Sequence, residues 1–211
     1  MIIKATSYRT EDVAFKPTIL CPSCGHRGTF EKLNMVDLVI APDLLVGLRR
    51  CPNDWCHCLI QFARNLRAID NAVIEVFPFL RIQFDRTNIP EEVLSALEEA
   101  IACHANGCYV ASAIMIRKTL DLLCLKQGAS GDNLKLRIGS LRNKILIPDE
   151  LLQAMDDLRL LGNDAAHIES QVYTQVGKEE VEIAVEFTKE ILKAVYQYSA
   201  LLSKLKSLKK P

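Results

Sequence analysis

The chain has 211 residues, of which 49% are hydrophobic, and its 26 Lys and Arg residues balance its 26 Asp and Glu residues. This length and apolar content suffice for a packed core in one large domain or two small ones. The formal net charge of zero excludes a global field that would attract nucleic acid or an anionic membrane, so any such contact has to be local.

The sequence lacks the signals of secretion and of membrane insertion. Residues 1–7 contain no apolar core of a signal peptide, and no segment approaches about 18 uninterrupted apolar residues. Eight cysteines in such a chain favour reduced thiols and metal ligation over a disulfide framework. We therefore expect a cytoplasmic protein that does not enter a membrane.

The first part of the chain has the composition of short strands and turns. The mixed apolar run at residues 59–63 and the segment at residues 72–77 are typical of strands, and both are bounded by turn-forming residues. We predict a small β-rich module over residues 1–88.

Two close cysteine pairs lie in this module. The Cys21-Pro-Ser-Cys24 sequence can place two sulfurs on one turn, and Cys51 and Cys56 can do the same on a slightly wider turn. Four thiolates form the ligand set of a structural zinc site, which leaves no coordination position open for water. We predict a zinc ribbon with a structural Zn²⁺ bound by Cys21, Cys24, Cys51 and Cys56.

Other ligands remain open for the fourth position of this site. Cys58, His26 and His57 all lie close in sequence to the two pairs, and Cys58 would fall on the strand that leaves the second turn. The alternative to a metal site is a set of ordinary buried cysteines. Prolines in both turns argue against that alternative.

After residue 88 the hydrophobic period becomes helical. Asn88 or Pro90 could begin a helix whose first turn carries acids, and Gly107 interrupts the pattern. Further helical segments cover about residues 109–126, 134–145, 148–167 and 178–208. The predicted fold class is α+β, in which the zinc ribbon precedes an all-α bundle of about five helices over residues 89–211.

The last predicted helix carries apolar residues at near-heptad spacing. They are Val181, Ile183, Ala184, Phe187, Ile191, Val195, Tyr198 and Leu202. Such a stripe can pack inside the bundle, or it can bind a second copy of the chain or another protein. Both interpretations stay open.

Arg117 occupies an otherwise apolar face of the second predicted helix. A charge in that position needs a partner. Asp121 is the nearest candidate in sequence, and Asp156 or Asp157 could meet Arg117 if the second and fourth helices pack together. The alternative is an arginine that extends to solvent at the rim of the core.

Three versatile polar residues recur every four positions in the fourth segment. Arg159, Asn163 and His167 would share one helix face if the helix continues past Gly162. Arginine can bind a phosphate, asparagine can orient a ligand oxygen, and histidine can move a proton near neutral pH. Alternatively, Gly162 and Asn163 end the helix, and the polar groups satisfy the backbone.

Three segments in order resemble a known family: Ile89-Pro-Glu-Glu92, then Ala113-Ile-Met-Ile-Arg-Lys-Thr-Leu-Asp121, then Leu158-Arg159 with Gly162-Asn-Asp-Ala-Ala-His167. This order is similar to that of a widespread prokaryotic family of domains of unknown function, over roughly residues 15–200. The Gly-Asn-x-Ala-Ala-His string is the most specific part. Members of that family often follow a four-cysteine ribbon and also occur attached to restriction and other defence proteins.

That family is in turn similar to the HEPN superfamily, whose all-helical domains include many metal-independent ribonucleases that dimerise around one cleft. The resemblance implies that His167 acts on the attacking 2′-hydroxyl or the leaving oxygen, while an arginine stabilises the phosphate. The chain departs from the HEPN spacing, because Arg159 lies one residue too far from His167. Arg117 could substitute from the facing helix, but the departure favours a weakened or absent nuclease.

Three functional hypotheses follow from these residues and the resemblance. In the first, the protein is an accessory module that binds RNA or another nucleic acid, forms a homodimer, and works in a defence or toxin-antitoxin setting. In the second, it is a metal-independent endoribonuclease that uses His167 with Arg159 or Arg117. In the third, it is a non-catalytic scaffold that binds a protein through its last helix, while Arg117, Asp121, Asn163 and His167 form a buried polar network.

Overall fold

The computed structural model describes residues 5, 7–67, 73, 75–145, 147–167, 172–173 and 175–208. The chain divides into two compact units, Met1–Gln83 and Phe84–Pro211. Strands form the first unit and helices form the second, so the predicted α+β fold class is confirmed. In the part of the chain that the structure describes, each helix is too short or too polar to cross a membrane.

The N-terminal unit is an antiparallel β structure. Its described strands are β1 (Tyr8–Glu11), β2 (Thr18–Leu20), β3 (Arg27–Thr29), β4 (Glu31–Lys32), β5 (Asp37–Ile40), β6 (Leu44–Arg50), β7 (Leu59–Asn65) and β8 (Glu75–Phe77). The main sheet has the order β1-β5-β6-β7-β8, with β4 paired to the far end of β6, while β2 and β3 form a separate hairpin. The strands predicted at residues 59–63 and 72–77 correspond to β7 and β8, although Ala72 and Ile74 lie outside the described residues.

A buried ion pair joins β5 to β6. The guanidinium of Arg49 donates two hydrogen bonds of 2.7 and 2.8 Å to the carboxylate of Asp37, and both side chains are at most 2% exposed. Arg49 also donates to the carbonyl of Phe15 and lies 4.6 Å from the ring centre of Phe62. Gly47 makes room for this pair, because a Cβ at that position would collide with the Asp37 carboxylate.

The C-terminal unit is a bundle of five helices within the described residues. They are α1 (Glu91–Ala105), α2 (Tyr109–Lys126), α3 (Leu134–Leu141), α4 (Asp149–Ala166) and a last helix in three continuous parts, which are α5 (Lys178–Leu192), a π-helical segment (Lys193–Gln197) and α6 (Tyr198–Ser207). Among these, α2 is central because it packs against α1, α3, α4 and α5.

The helix ends follow from the residues that the sequence places there. Pro90 and Pro148 directly precede α1 and α4, whose first turns carry acids that the helix dipole favours. Gly107 has a φ of +74°, so it allows the reversal between α1 and α2. The third helix ends at Leu141 and not near residue 145 as predicted, and the residues that follow form a turn in which the amides of Lys144 and Ile145 both donate to the Leu141 carbonyl.

The stripe predicted for the last helix divides between core and surface. Its buried members in α5 are Val181, Ala184 and Ile191, and its exposed large members are Ile183, Phe187, Tyr198 and Leu202. The helix therefore contributes one face to the bundle core and presents a second apolar face to solvent.

We expect Asp37→Ala to lower the free energy of unfolding of the N-terminal unit by about 3–5 kcal/mol, because it leaves the buried Arg49 charge unpaired. Glu31→Ala is the matched control, since Glu31 pairs with the adjacent but exposed Arg50 and its loss should leave stability nearly unchanged. Urea denaturation of the full chain, with hydrogen exchange at the β6 and β7 amides, measures both effects. Equal effects of the two substitutions would contradict this account.

Candidate functional site

The first cysteine turn connects β2 to β3. The amide of Cys21 donates to the carbonyl of His26 at 2.8 Å, and the amide of Gly25 donates back to the carbonyl of Cys21 at 3.0 Å. Gly25 has a φ of +70°, a left-handed conformation that glycine adopts without strain. This tight turn directs the side chains of Cys21 and Cys24 toward the same point.

The second cysteine turn connects β6 to β7. Its base is closed by the amide of Cys51, which donates to the carbonyl of Cys58, and the amide of Cys56 donates to the carbonyl of Asn53, both at 2.9 Å. His57 has a φ of +49° and, like Gly25 in the first turn, directly follows the second cysteine of the pair. The two turns therefore share one local geometry despite their different lengths.

Together the turns gather four sulfur atoms that all lie within 4.8 Å of one another. The Sγ atoms of Cys21 and Cys56 are 3.8 Å apart, and those of Cys24 and Cys51 are 3.9 Å apart. A tetrahedral zinc ion with Zn–S bonds of about 2.3 Å requires neighbouring sulfurs about 3.8 Å apart, whereas a disulfide requires about 2.05 Å. The four cysteines could hold a metal ion, and their spacing is consistent with a zinc site.

The surroundings act differently on the four thiols. Burial raises the pKa of Cys51 to about 12 and also raises the pKa of Cys21. At Cys24, hydrogen bonds from the His26 backbone and the neighbouring thiols outweigh desolvation and lower the pKa to about 7. Asn53 adds a donor, because its Nδ2 lies 3.6 Å from the Cys24 sulfur. Thiols with raised pKa values must release protons to bind metal, so metal affinity decreases as the pH falls.

The described sulfur cluster contains Cys56 and not Cys58. Cys58 borders it, but its thiol donates to the carbonyl of Leu59, and burial raises its pKa to about 11. The Nε2 atom of His26 lies over Gly28, where an added Cβ would approach it to 2.9 Å. The geometry thus fits the predicted ligand set without a substitute at the fourth position.

In the helical unit, Gly162 marks a close approach between α2 and α4. A Cβ at Gly162 would lie 2.6 Å from the Cβ of Arg117 and 3.1 Å from the carbonyl oxygen of Ala113. The fourth helix continues through Gly162 to Ala166. This corrects the alternative in which Gly162 and Asn163 end the helix, and it gives the glycine a packing role.

The two candidate arginines meet at this contact. Nη1 of Arg117 donates to the backbone carbonyl of Arg159 at 3.2 Å, and burial, with the nearby Arg159 charge, lowers the pKa of Arg117. Nε of Arg159 donates to the carboxylate of Asp156 at 2.6 Å. Asp121, proposed as a partner of Arg117, instead accepts a 2.6 Å hydrogen bond from Arg137 on α3. Both candidate arginines therefore have structural partners.

The other candidates on α4 and at its end are Asp157, Asn163 and His167. His167 is exposed at the point where α4 ends in extended backbone, and its amide donates to the carbonyl of Asn163. Asp157 is exposed, and its backbone carbonyl accepts from the hydroxyl of Tyr173. Among the described residues, no side-chain hydrogen bond joins Asn163, His167 or Asp157 to Arg117 or Arg159. In the described part of the chain, Arg117 is thus the one member of this group whose side chain hydrogen-bonds to another member, through the backbone carbonyl of Arg159.

Asp164, which was not among the predicted site residues, is only 5% exposed. Its Oδ2 accepts hydrogen bonds of 2.6 and 2.7 Å from the amides of Val172 and Tyr173. The carboxylate therefore ties the segment after α4 back to the helix. The signal was available, because Asp164 follows the apolar Leu161 by one helical turn and a buried acid needs donors.

Residues 98–210, just over half of the chain, match the model of a family described as a domain of unknown function, DUF4145. The matched region begins within α1, extends past α6, and does not include the cysteine turns. No curated protein and no solved structure matches the chain.

We expect Gly162→Ala to destabilise the helical unit by about 1–3 kcal/mol, because the added methyl group forces α2 and α4 apart. Gly139→Ala in α3 is the control, since a Cβ there meets nothing within 4 Å and the substitution should leave stability unchanged or slightly increased. Thermal melts of both variants measure the difference. A neutral Gly162→Ala would show that the close approach is not needed.

We expect Cys56→Ser to lose bound zinc and to unfold the N-terminal unit, because three thiolates leave the tetrahedral set incomplete. Cys58→Ser should retain one zinc ion per chain, since Cys58 lies outside the sulfur cluster. Metal analysis of the purified proteins and near-ultraviolet circular dichroism with and without a chelator measure these outcomes. Retention of zinc by Cys56→Ser would instead assign the fourth ligand to another residue.

Proposed function

The chain belongs to the DUF4145 family, a domain of unknown function, and we propose that it is a zinc-containing accessory module that binds single-stranded RNA. In this proposal the N-terminal unit makes the contact with RNA. The helical unit serves in assembly and does not cleave the bound strand.

The observation that carries the proposal is Trp55, whose side chain is 96% exposed. It lies in the second cysteine turn, where its amide donates to the side chain of Asn53 at 3.1 Å. A large aromatic side chain held in water on a short turn offers a flat face for an incoming base. Stacking of a nucleobase on such a side chain contributes about 1–3 kcal/mol and tolerates any base.

Positive groups near this turn supply the contacts that RNA phosphates need. Arg50 donates a hydrogen bond of 2.6 Å to the carboxylate of Glu31. This bond is the main reason that the pKa of Glu31 lies below its usual range, and the nearby His57 and Lys16 lower it further. Arg50, His57 and Lys16 therefore lie near this acid, and in the sequence Arg50 and His57 directly flank the Cys51–Cys56 turn that carries Trp55. These basic side chains could contact phosphates next to a base stacked on Trp55, and such a local contact is compatible with a chain whose net charge is zero.

A zinc ion held by the four cysteines would fix the two turns relative to each other. The cysteines would fill all four positions of a tetrahedral ion, so the metal would stabilise the fold and leave no position for a reactive water. Trp55 immediately precedes the ligand Cys56, so the backbone that carries the indole would be anchored by the metal. The proposed role of the zinc is to present Trp55 in a fixed orientation.

The contacts in the helical unit favour an accessory role over catalysis. Arg117 donates to a backbone carbonyl, and Arg159 is paired with Asp156. Both arginines are thus held by groups of the fold itself, and the charge of Arg159 is already paired with a carboxylate. The Gly-Asn-Asp-Ala-Ala-His string also has structural reasons for two of its residues, since Gly162 allows the helix contact and Asp164 ties down the following segment.

We expect Trp55→Ala to weaken the binding of labelled single-stranded RNA by about 5- to 150-fold, the loss of one base stack. Tyr8→Ala is the control, because Tyr8 is also exposed but pairs at the Leu44 end of the sheet, away from the cysteine turns. Fluorescence anisotropy at several salt concentrations measures affinity, and metal analysis verifies that both variants retain zinc. Equal binding by wild type and Trp55→Ala would overturn the proposed contact.

The same RNA, recovered on a denaturing gel after incubation in buffer with neither added divalent cation nor chelator so that the zinc site stays intact, separates binding from cleavage. Intact RNA supports the accessory role. Fragments produced by the wild type and lost in His167→Ala would replace it with the ribonuclease hypothesis.

A further inference from the structure

Helix α6 carries an apolar stripe that packs against no other described element of the helical unit apart from the π-helical segment that precedes it. The stripe consists of Tyr198, Leu201, Leu202, Leu205 and Leu208, whose exposed fractions range from 48% to 74%. Large apolar side chains that lie next to one another on an exposed surface mark a contact site. We therefore expect the stripe to be covered by another surface when the protein is assembled.

A groove of about 390 Å³ between α4 and α5 offers a surface of matching character. Leu161, Ile183 and Phe187 line it, and the last two are 52% and 44% exposed. Its acidic lining residues are Glu150, Asp157 and Glu180. The groove thus combines apolar side chains with negative charge.

The charges of α6 are complementary to those of the groove. Lys204 and Lys206 lie beside the leucines of α6, and its described residues include no acid. We propose that α6 of a second copy of this chain occupies the groove between α4 and α5, and that the two copies exchange this contact symmetrically. This inference goes beyond the proposed RNA contact and does not depend on it.

The groove cannot be filled by α6 of the same chain. Helix α5 continues into α6 through the π-helical segment without a turn, so α6 extends away from the first half of α5, which lines the groove. The distance from Ile183 to Leu205 is about 33 Å at a rise of about 1.5 Å per residue. A second copy is therefore the chain that can supply this helix.

The spacing of the apolar residues agrees with an antiparallel pair of last helices. In an antiparallel pair, residues of the two copies face each other when they lie equally far on either side of the crossing point. With the crossing point at residue 194, Leu205 faces Ile183 of the other copy and Leu201 faces Phe187. A twofold axis at that level makes every contact twice, as an isologous dimer requires. Lys206 is then opposite Glu182 of the other copy.

The test uses the full chain and opposite charges at one predicted pair. We expect Ile183→Lys and Leu205→Glu each to raise the dimer dissociation constant by at least about 30-fold, because each places unpaired charges in an apolar contact. The double variant Ile183→Lys with Leu205→Glu should recover much of the dimer, since opposite charges then face each other at both ends. Leu136→Glu, at an exposed leucine of α3, is the control and should dimerise like the wild type.

Sedimentation velocity over a range of concentrations measures the oligomeric state, and circular dichroism verifies that each variant is folded. A monomeric wild type would overturn the inference. A dimer that persists in both single variants, or that the double variant does not restore, would also overturn it, because the dimer would then use another surface. RNA binding is measured separately, so a failure of the dimer leaves the Trp55 experiment unaffected.

Discussion

One face of β6 carries the interactions on which the N-terminal unit depends. Along that face Leu45 enters the apolar cluster with Val39 and Phe62, and Gly47 leaves room for the Asp37 carboxylate. Arg49 then forms the buried ion pair, and Cys51 follows as a member of the sulfur cluster. The unit has strands of two to seven residues and small apolar clusters, so it needs such cross-links between distant segments. The candidate metal centre thus lies directly after β6, where Cys51 continues this series of contacts.

Local signals were sufficient to predict most of the helical unit. Prolines, acids and glycines lie where helices begin and end, and their effects act within a few residues of the chain. The Asp37–Arg49 pair could not be predicted in this way, because it depends on the register between two strands and on the missing side chain of Gly47. A charged residue in a short strand is normally expected on the solvent face. The four cysteines were predictable because zinc chemistry restricts both residue type and spacing.

The polar string at the end of α4 shows how a motif can reflect packing as well as chemistry. Gly162 is required by the distance between two helices, and Asp164 is required by two backbone amides that would otherwise lose their acceptor. Neither requirement involves a substrate. The sequence pattern alone placed Arg159, Asn163 and His167 on one face, but partners that are distant in sequence decide what these side chains contact. Arg117 illustrates this, because its acceptor is a carbonyl 42 residues away.

Polar groups that the sequence marked as unusual are largely satisfied within the fold, whereas two apolar features are not. Trp55 and the stripe of α6 expose large hydrophobic side chains where folding alone would bury them or use polar residues. Residues that do not suit their place in the fold, such as large apolar side chains in water, are expected at functional sites. The free-energy cost of exposing them is offset when a partner binds. The two features differ in form, because Trp55 offers one flat aromatic ring on a turn, whereas α6 offers a long stripe of mainly aliphatic side chains beside Lys204 and Lys206. A single partner chemistry does not fit both. The two features therefore serve two separate contacts, a flat aromatic face for a nucleobase and a basic amphipathic helix for an acidic apolar groove.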